Sequence, residues 1–327
     1  MAPQIFSNLK PLIQLILLLT SVKPWREKGH LLTAYIAQEF LLQYSPETFD
    51  WCMELLKPLI DVCGEHDYPF IESSTYADKV KQQAWHAMYN HHFVSYRWLA
   101  AGSTYNYTGR PIVEHARMTS TDILDGHSLG ADYFNDTHAN LTFIIDELSR
   151  HLSSDRRDVY GSSKSLMMKS LSLRMLIHFI GDVHQPLHAS ERISDDHPDG
   201  DRGGNDYRIK TVNGTFALHY LWDCMMDTSD SNTSYPIDDI RRAADAIVQN
   251  NSFKSMSTLL SNTLDPTIWA TESHEIARLH VYRNIADDRY ISDSRDICHR
   301  RIAMAAYRIA MTLMKLYRLV NRDAWIN

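Results

Sequence analysis

Positive charge is in short supply in this 327-residue chain: 33 Lys and Arg stand against 40 Asp and Glu, a formal charge of −7. No general basic field exists to draw in polyanions, so any handling of phosphates must take its positive charge mainly from bound metal. Cysteine is scarcer still. The four (Cys52, Cys63, Cys224, Cys298) do not fall at zinc-finger spacing, which argues against a closed structural zinc site. In an oxidising compartment they suffice for two disulfides, with three pairings open. No internal repeat, low-complexity tract or clear linker divides the chain. After Val22 no long apolar run occurs, so no later transmembrane helix is expected.

What is present begins with a leader-like N-terminus. Lys10 precedes the apolar run Pro11–Val22, too short to span a bilayer comfortably and matched to a secretory h-region. Sequons at Asn106, Asn135, Asn140, Asn213, Asn232 and Asn250 together fit an exported glycoprotein. Apolar content of 44% and charged content of 22% are those of a soluble globular protein, and the 17 His are an excess that favours metal chemistry.

The stretch Leu176–His188, LIHFIGDVHQPLH, reads as an apolar helix running into a proline stop. His178 and Asp182, at i and i+4, stack on one face; Pro186 ends the helix, and His188 lies just past the break. Upstream, Leu31–Leu42 has helical periodicity, and Ser45-Pro46-Glu47 is a helix start with a capping hydroxyl, the helix ending near Leu56. Glu72–Gln83 reads as one helix, Thr104–Asp136 as loop, and Ala139–Leu152 and Lys164–Gln185 as helices. Downstream, the polar, glycine-rich Asp195–Asn205 reads as a surface loop whose Gly203-Gly204 lets backbone approach a ligand. Tyr207–Val212 and Thr215–Leu218 flank Asn213-Gly214, a strong hairpin signal, and feed into HYLWD, a second His-x-x-x-Asp. Helices are expected over Pro236–Gln249, Pro266–Ile285 and Arg295–Val320.

Eight candidate ligands emerge: His30, Asp78, His92, His178, Asp182, His188, His219 and Asp223. They exceed the needs of one tetrahedral zinc and suit a cluster sharing a bridging carboxylate. His and carboxylate ligands with open positions are typical of hydrolytic sites, where metal lowers the pKa of water to about 7 and paired metals clamp attacking and leaving oxygens. Phosphoester hydrolysis is the natural class.

These motifs, with the YAD segment, the HHF segment, GDRGGN, LHYLWD, a Trp-x4-His start, WATES at Trp269–Ser273 and the AAYRIA stretch, closely resemble the zinc-dependent single-strand-specific nucleases and 3'-nucleotidases of the mung bean nuclease type. The resemblance covers nearly all of residues 25–327 and implies a mainly α, single-domain, multi-helix fold of the zinc phospholipase C and single-strand nuclease type, with one small β-hairpin. It implies a signal peptide over residues 1–24 and three zinc ions. Asp78, His92, His178 and Asp182 match the ligands of the first zinc; His188, His219 and Asp223 match those of the second; Trp25, His30 and the shared Asp182 match those of the third. His91 rivals His92, which is preferred because it directly precedes the aromatic Phe93. Lys81 matches a phosphate-contacting position and Asn205 a base- or phosphate-contacting one, so Asp182, Lys81 and Asn205 are the catalytic candidates. Phe93, Lys81, Asn205 and Gly204 are the substrate-binding ones, Phe93 by stacking on unpaired bases.

The implied activity is that of a secreted, monomeric, glycosylated enzyme cutting single-stranded DNA and RNA to 5'-phosphate ends and dephosphorylating 3'-mononucleotides. Two positions depart from the pattern. Ser95 stands where some members carry a substrate-contacting aspartate. Pro24 precedes Trp25, although signal cleavage prefers small residues, so either later trimming frees the Trp25 amine or the third zinc is bound differently or not at all. The rivals are a zinc phospholipase C, which carries Glu at the position of Asp223, and a non-catalytic, His-rich exported metal-binding protein.

Overall fold

A computed structural model of the chain describes residues 27–83, 91–104, 140–154, 162–211, 214–226, 235–260 and 264–321. The leader segment, Trp25 and all but the first residue of Thr104–Asp136 lie outside that set.

The fold is mainly α, as expected. Helix α1 (Glu27–Tyr44) is buried over most of its length, including His30. It is followed by α2 (Pro46–Leu56), a 3-10 turn, α3 (Ile60–Cys63), α4 (Pro69–Ser73) and α5 (Tyr76–Gln83). Helix α6 (Leu141–Ser153) packs along α7 (Ser162–Val183), and a 3-10 turn over Pro186–Ala189 follows the end of α7. Then come α8 (Leu218–Asp223), α9 (Ile237–Asn250), α10 (Phe253–Leu260) and α11 (Pro266–Ile276), which runs on as a π-helical turn, Ala277–Val281. The 31-residue α12 (Tyr290–Val320) packs chiefly on α1 and also on α7 and α2. The apolar stripe Ile302, Ala306, Ile309, Leu313 and Leu316 is buried in the hydrophobic core of the described residues.

Four expectations need correction. Glu72–Gln83 is not one helix: Ser73 and Ser74 turn their hydroxyls back onto Phe70 O (2.7 Å) and Ile71 O (2.6 Å), ending α4 and leaving Ser74 O outside α5. Ser45 precedes α2 but does not cap it, because its hydroxyl donates to the Glu47 carboxylate at 2.5 Å. The four cysteines are free thiols, Cys52 and Cys298 lying within the apolar core, where burial pushes both thiols up. The hairpin expected around Asn213-Gly214 is present as β3 (Arg208–Thr211) against β4 (Gly214–Ala217), but it is not the only sheet. Strand β1 (Tyr96–Leu99) lies parallel to β2 (Ser190–Ile193), with Tyr96 opposite Ser190 and Leu99 opposite Ile193. This second sheet ties the segment that follows His92 to the one that follows His188.

Candidate metal centre

The end of α7 supplies the hub. Asp182 and His178 stand one turn apart on its buried face, and both are fully excluded from solvent. Gln185 adopts an extended backbone before Pro186, which stops the helix, and its Oε1 accepts from Leu187 N at 2.5 Å, starting the 3-10 turn that delivers His188. Across this break, Asp182 Oδ1 is 3.5 Å from His188 Nδ1 and 3.4 Å from His30 Nε2 on α1. Asp182 Oδ2 is 3.2 Å from His178 Nε2 and 2.7 Å from His92 Nδ1. One carboxylate therefore faces four imidazoles. Asp78, on α5, closes the first group, its Oδ1 lying 3.8 Å from His178 and 3.9 Å from His92. On α8, His219 Nε2 is 3.3 Å from Asp223 Oδ2, and His188 Nε2 is 3.8 Å from Asp223 Oδ1.

Backbone carbonyls aim the rings. His178 Nδ1 lies 2.6 Å from Ser74 O, and His219 Nδ1 lies 2.7 Å from Gly203 O. A carbonyl only accepts, so each Nδ1 donates and each Nε2 is turned into the cluster, the orientation that metal-bound histidines use. Three sets of donor atoms converge, each within 4.8 Å: His30, Asp78 and His178; His92, His178 and Asp182; and His188, His219 and Asp223. Ligand atoms about 2.0–2.2 Å from one tetrahedral zinc sit roughly 3.3 Å from each other, so these separations suit metal. Two buried atoms of the centre, His30 Nε2 and Asp182 Oδ1, make no hydrogen bond among the described residues.

The electrostatics favour a cation. Burial alone would raise the Asp182 pKa, but His178, His188 and His92 hold it well below the ordinary carboxylate value. Burial opposes charge on His178, yet Asp182 and Asp78 outweigh it and hold this imidazole above its ordinary value. Its stacked neighbour His30, with ring centroids 3.9 Å apart, is held low by burial and by the charge on His178.

A family model, S1/P1 nuclease, matches residues 25–318. The chain belongs to the S1/P1 nuclease family. It is 26% identical over 307 residues to Endonuclease 4 of Arabidopsis thaliana, covering 90% of this chain and 89% of that protein. It is 24% identical over 309 residues to Endonuclease 1 of the same plant, covering 91% and 88%. A shorter match, 25% over 164 residues, joins it to Nuclease S1 of Aspergillus oryzae, covering 43% and 53%. Family membership supports hydrolysis of nucleic acid as the coarse activity, as the sequence motifs led us to expect.

All eight candidate ligands of this S1/P1-family chain thus converge, whereas Trp25 lies outside the described residues. Of the neighbouring histidines, His92 is buried in the cluster, and His91 belongs to none of the groups found among the described residues. Phe93 is half-buried, its ring centroid 4.7 Å from that of His188 and 5.8 Å from that of His219. Lys81 lies on α5, but its side chain is outside the described set. Asn205 is buried and donates through Nδ2 to Arg202 O at 2.8 Å, within its own loop. Gly204 has φ +79° and its carbonyl accepts from His219 N at 3.2 Å, so it seats α8.

Sequence reasoning passed over several supporting groups. Gln185 Nε2 donates to Asp223 Oδ1 at 2.6 Å, and its place within HQPLH was the available signal. Asp201 holds the glycine loop by accepting from Arg192 N (3.0 Å) and Tyr282 OH (2.7 Å). Gly181 lets α1 approach, since a Cβ there would sit 3.0 Å from His30 Nδ1. The carbonyls of Ser74 and Gly203 carry no side-chain signal at all.

Proposed function

We propose that this protein is a zinc-dependent, single-strand-specific endonuclease that leaves 5'-phosphate ends and also removes phosphate from 3'-mononucleotides. The carrying observation is Asp182, one buried carboxylate facing four imidazoles, flanked by two further groups of donors. His92, His178, Asp182 and Asp78 would hold one zinc; His188, His219 and Asp223 a second; and His30 with Asp182, completed by Trp25, a third. Bound zinc supplies Lewis acidity and a nucleophile at neutral pH, together with the positive charge that a chain of formal charge −7 lacks.

The chain's own residues do the rest. Phe93 presents an aromatic face beside His188 and His219, suited to stacking on a base, and bases are free to stack only in unpaired strands. Lys81, on the same helix as Asp78, contacts phosphate, and Asn205 beside Gly204 contacts base or phosphate. Ser74 O and Gly203 O keep His178 and His219 in the ligating tautomer. Export fits the leader-like run, and of the sequons Asn250 is an exposed residue at the end of α9, suited to carry a glycan.

The test is hydrolysis of single-stranded DNA, duplex DNA, 3'-AMP and phosphatidylcholine by the secreted protein, alongside its zinc content and N-terminal sequence. The reading expects cleavage of single strands and 3'-AMP, loss on chelation and recovery with zinc. Cleavage of the lipid in preference to DNA, or zinc-free turnover, would overturn it.

A further inference from the structure

Beyond the ligands, the molecule contains a second buried polar cluster, and it grips the break at the end of α7. Arg301 and Arg308 lie seven residues apart on one face of α12, and both are buried. Arg301 donates through Nε to His184 O (3.0 Å), through Nη1 to Glu272 Oε2 (2.8 Å), and through Nη2 to Ser273 Oγ (2.6 Å) and Trp269 O (3.3 Å). The Ser273 hydroxyl in turn donates a hydrogen bond to Val183 O. Arg308 reaches both Glu272 oxygens (2.6 and 2.7 Å) and His184 Nε2 (2.9 Å), and the other ring nitrogen of His184 donates to Ile180 O at 2.7 Å. A helix leaves its last carbonyls without partners. Here those of Val183 and His184 are taken by side chains from α11 and α12.

We propose that Arg301, Arg308, Glu272 and Ser273 are positioning residues for the metal centre: they fix the break after α7 and thereby the offset between Asp182 and His188. Two guanidiniums against one carboxylate are an expensive way to fill a core, where apolar residues of like volume are often as stable or more so. What they add is direction, because the rigid fork of one guanidinium addresses acceptors on two helices at once. The segment they hold, Val183–Gln185, is the only covalent link between the group around His178 and Asp182 and the start of the group around His188.

This proposal rests on the zinc reading. Its test is stepwise zinc titration of the metal-free full chain against a competing chelator, with the variants S273A, R301M, R301K and R174M. Arg174 is a control: it is equally buried on α7 and paired with Glu65, but lies away from the break. The expected result is unequal loss. In S273A and R301M one zinc step weakens about 10- to 100-fold, the range for lost support to a metal ligand, while the tightest step stays near wild type. R301K should recover part of the loss, and R174M should lower thermal stability without separating the steps. If R301M does not fold, S273A decides. Equal weakening of all steps, or a pattern matched by R174M, overturns the proposal. A wild-type chain that takes up no zinc overturns the zinc reading instead.

Discussion

Gly203→Ala tests the site through a residue that touches no metal. Gly203 has φ +62°, where a Cβ costs about 1–2 kcal/mol, and that Cβ would lie 2.6 Å from Leu187 O and 3.3 Å from Ser190 O. Both contacts are backbone, one on the turn that carries His188 and one at the start of β2, so the loop itself must withdraw by several tenths of an ångström. Withdrawal lengthens the 2.7 Å contact from His219 Nδ1 to Gly203 O, releasing the imidazole that faces Asp223. Loss of such a supporting hydrogen bond costs roughly 10- to 100-fold in metal affinity or activity. Gly64→Ala supplies the control, because Gly64 also has a left-handed φ, +69°, but nothing lies within 4 Å of its Cβ. Urea unfolding should show both variants destabilised by at least about 1–2 kcal/mol, while cleavage of single-stranded DNA falls only in Gly203→Ala. Equal activity in the two variants would refute the argument that this loop aims His219.

Further predictions concern the hub, its neighbours and pH. Asp182→Asn removes the carboxylate shared by four imidazoles, and turnover should fall by more than about 100-fold, beyond the loss of a merely supporting contact; near-normal kcat with full zinc content would contradict the assignment. His92→Ala should lose zinc and activity together, whereas His91→Ala should keep both, as read by metal analysis and initial rates. His184 is held well below its ordinary pKa by burial first and then by Arg301 and Arg308. Its contribution to stability is therefore present above about pH 6.5 and is lost as pH falls, by up to about 1.4 kcal/mol per pH unit. Urea midpoints of the metal-free protein between pH 7 and 5 should fall less steeply in His184→Gln than in the wild type, and parallel slopes would refute this.

The ligands at the ends of α7 and α8 were legible because their spacing is local, while His30, Asp78 and His92 were legible only through the family resemblance. His178 with Asp182, and His219 with Asp223, repeat the helical i, i+4 step, and Asn213-Gly214 announced the hairpin that leads into α8. What stayed hidden depends on distance along the chain or on backbone alone. The pairing of Tyr96 with Ser190 joins short strands with no nearby partner to betray them. The division between α4 and α5 follows from two serine hydroxyls choosing carbonyls over solvent, which composition does not foretell. The contact that requires Gly181 involves His30, a residue about 150 positions earlier. Arg301 and Arg308 sit in a helix whose apolar stripe was evident, but stripe periodicity cannot show that two of its charged members point inward.

The reach of α12 has a consequence for truncated versions of this gene product. Every described donor of the centre is encoded by codon 223, so a message stopped shortly afterwards would retain all the ligand-bearing motifs. It would lack Trp269, Glu272, Ser273, Arg301 and Arg308, and with them the partners of the carbonyls at 183 and 184. Such a product would pass inspection by its metal ligands alone and still lack the contacts that hold its two halves in register. Splice forms and fragments of this kind are better judged by whether the final helix is encoded than by whether the histidines are.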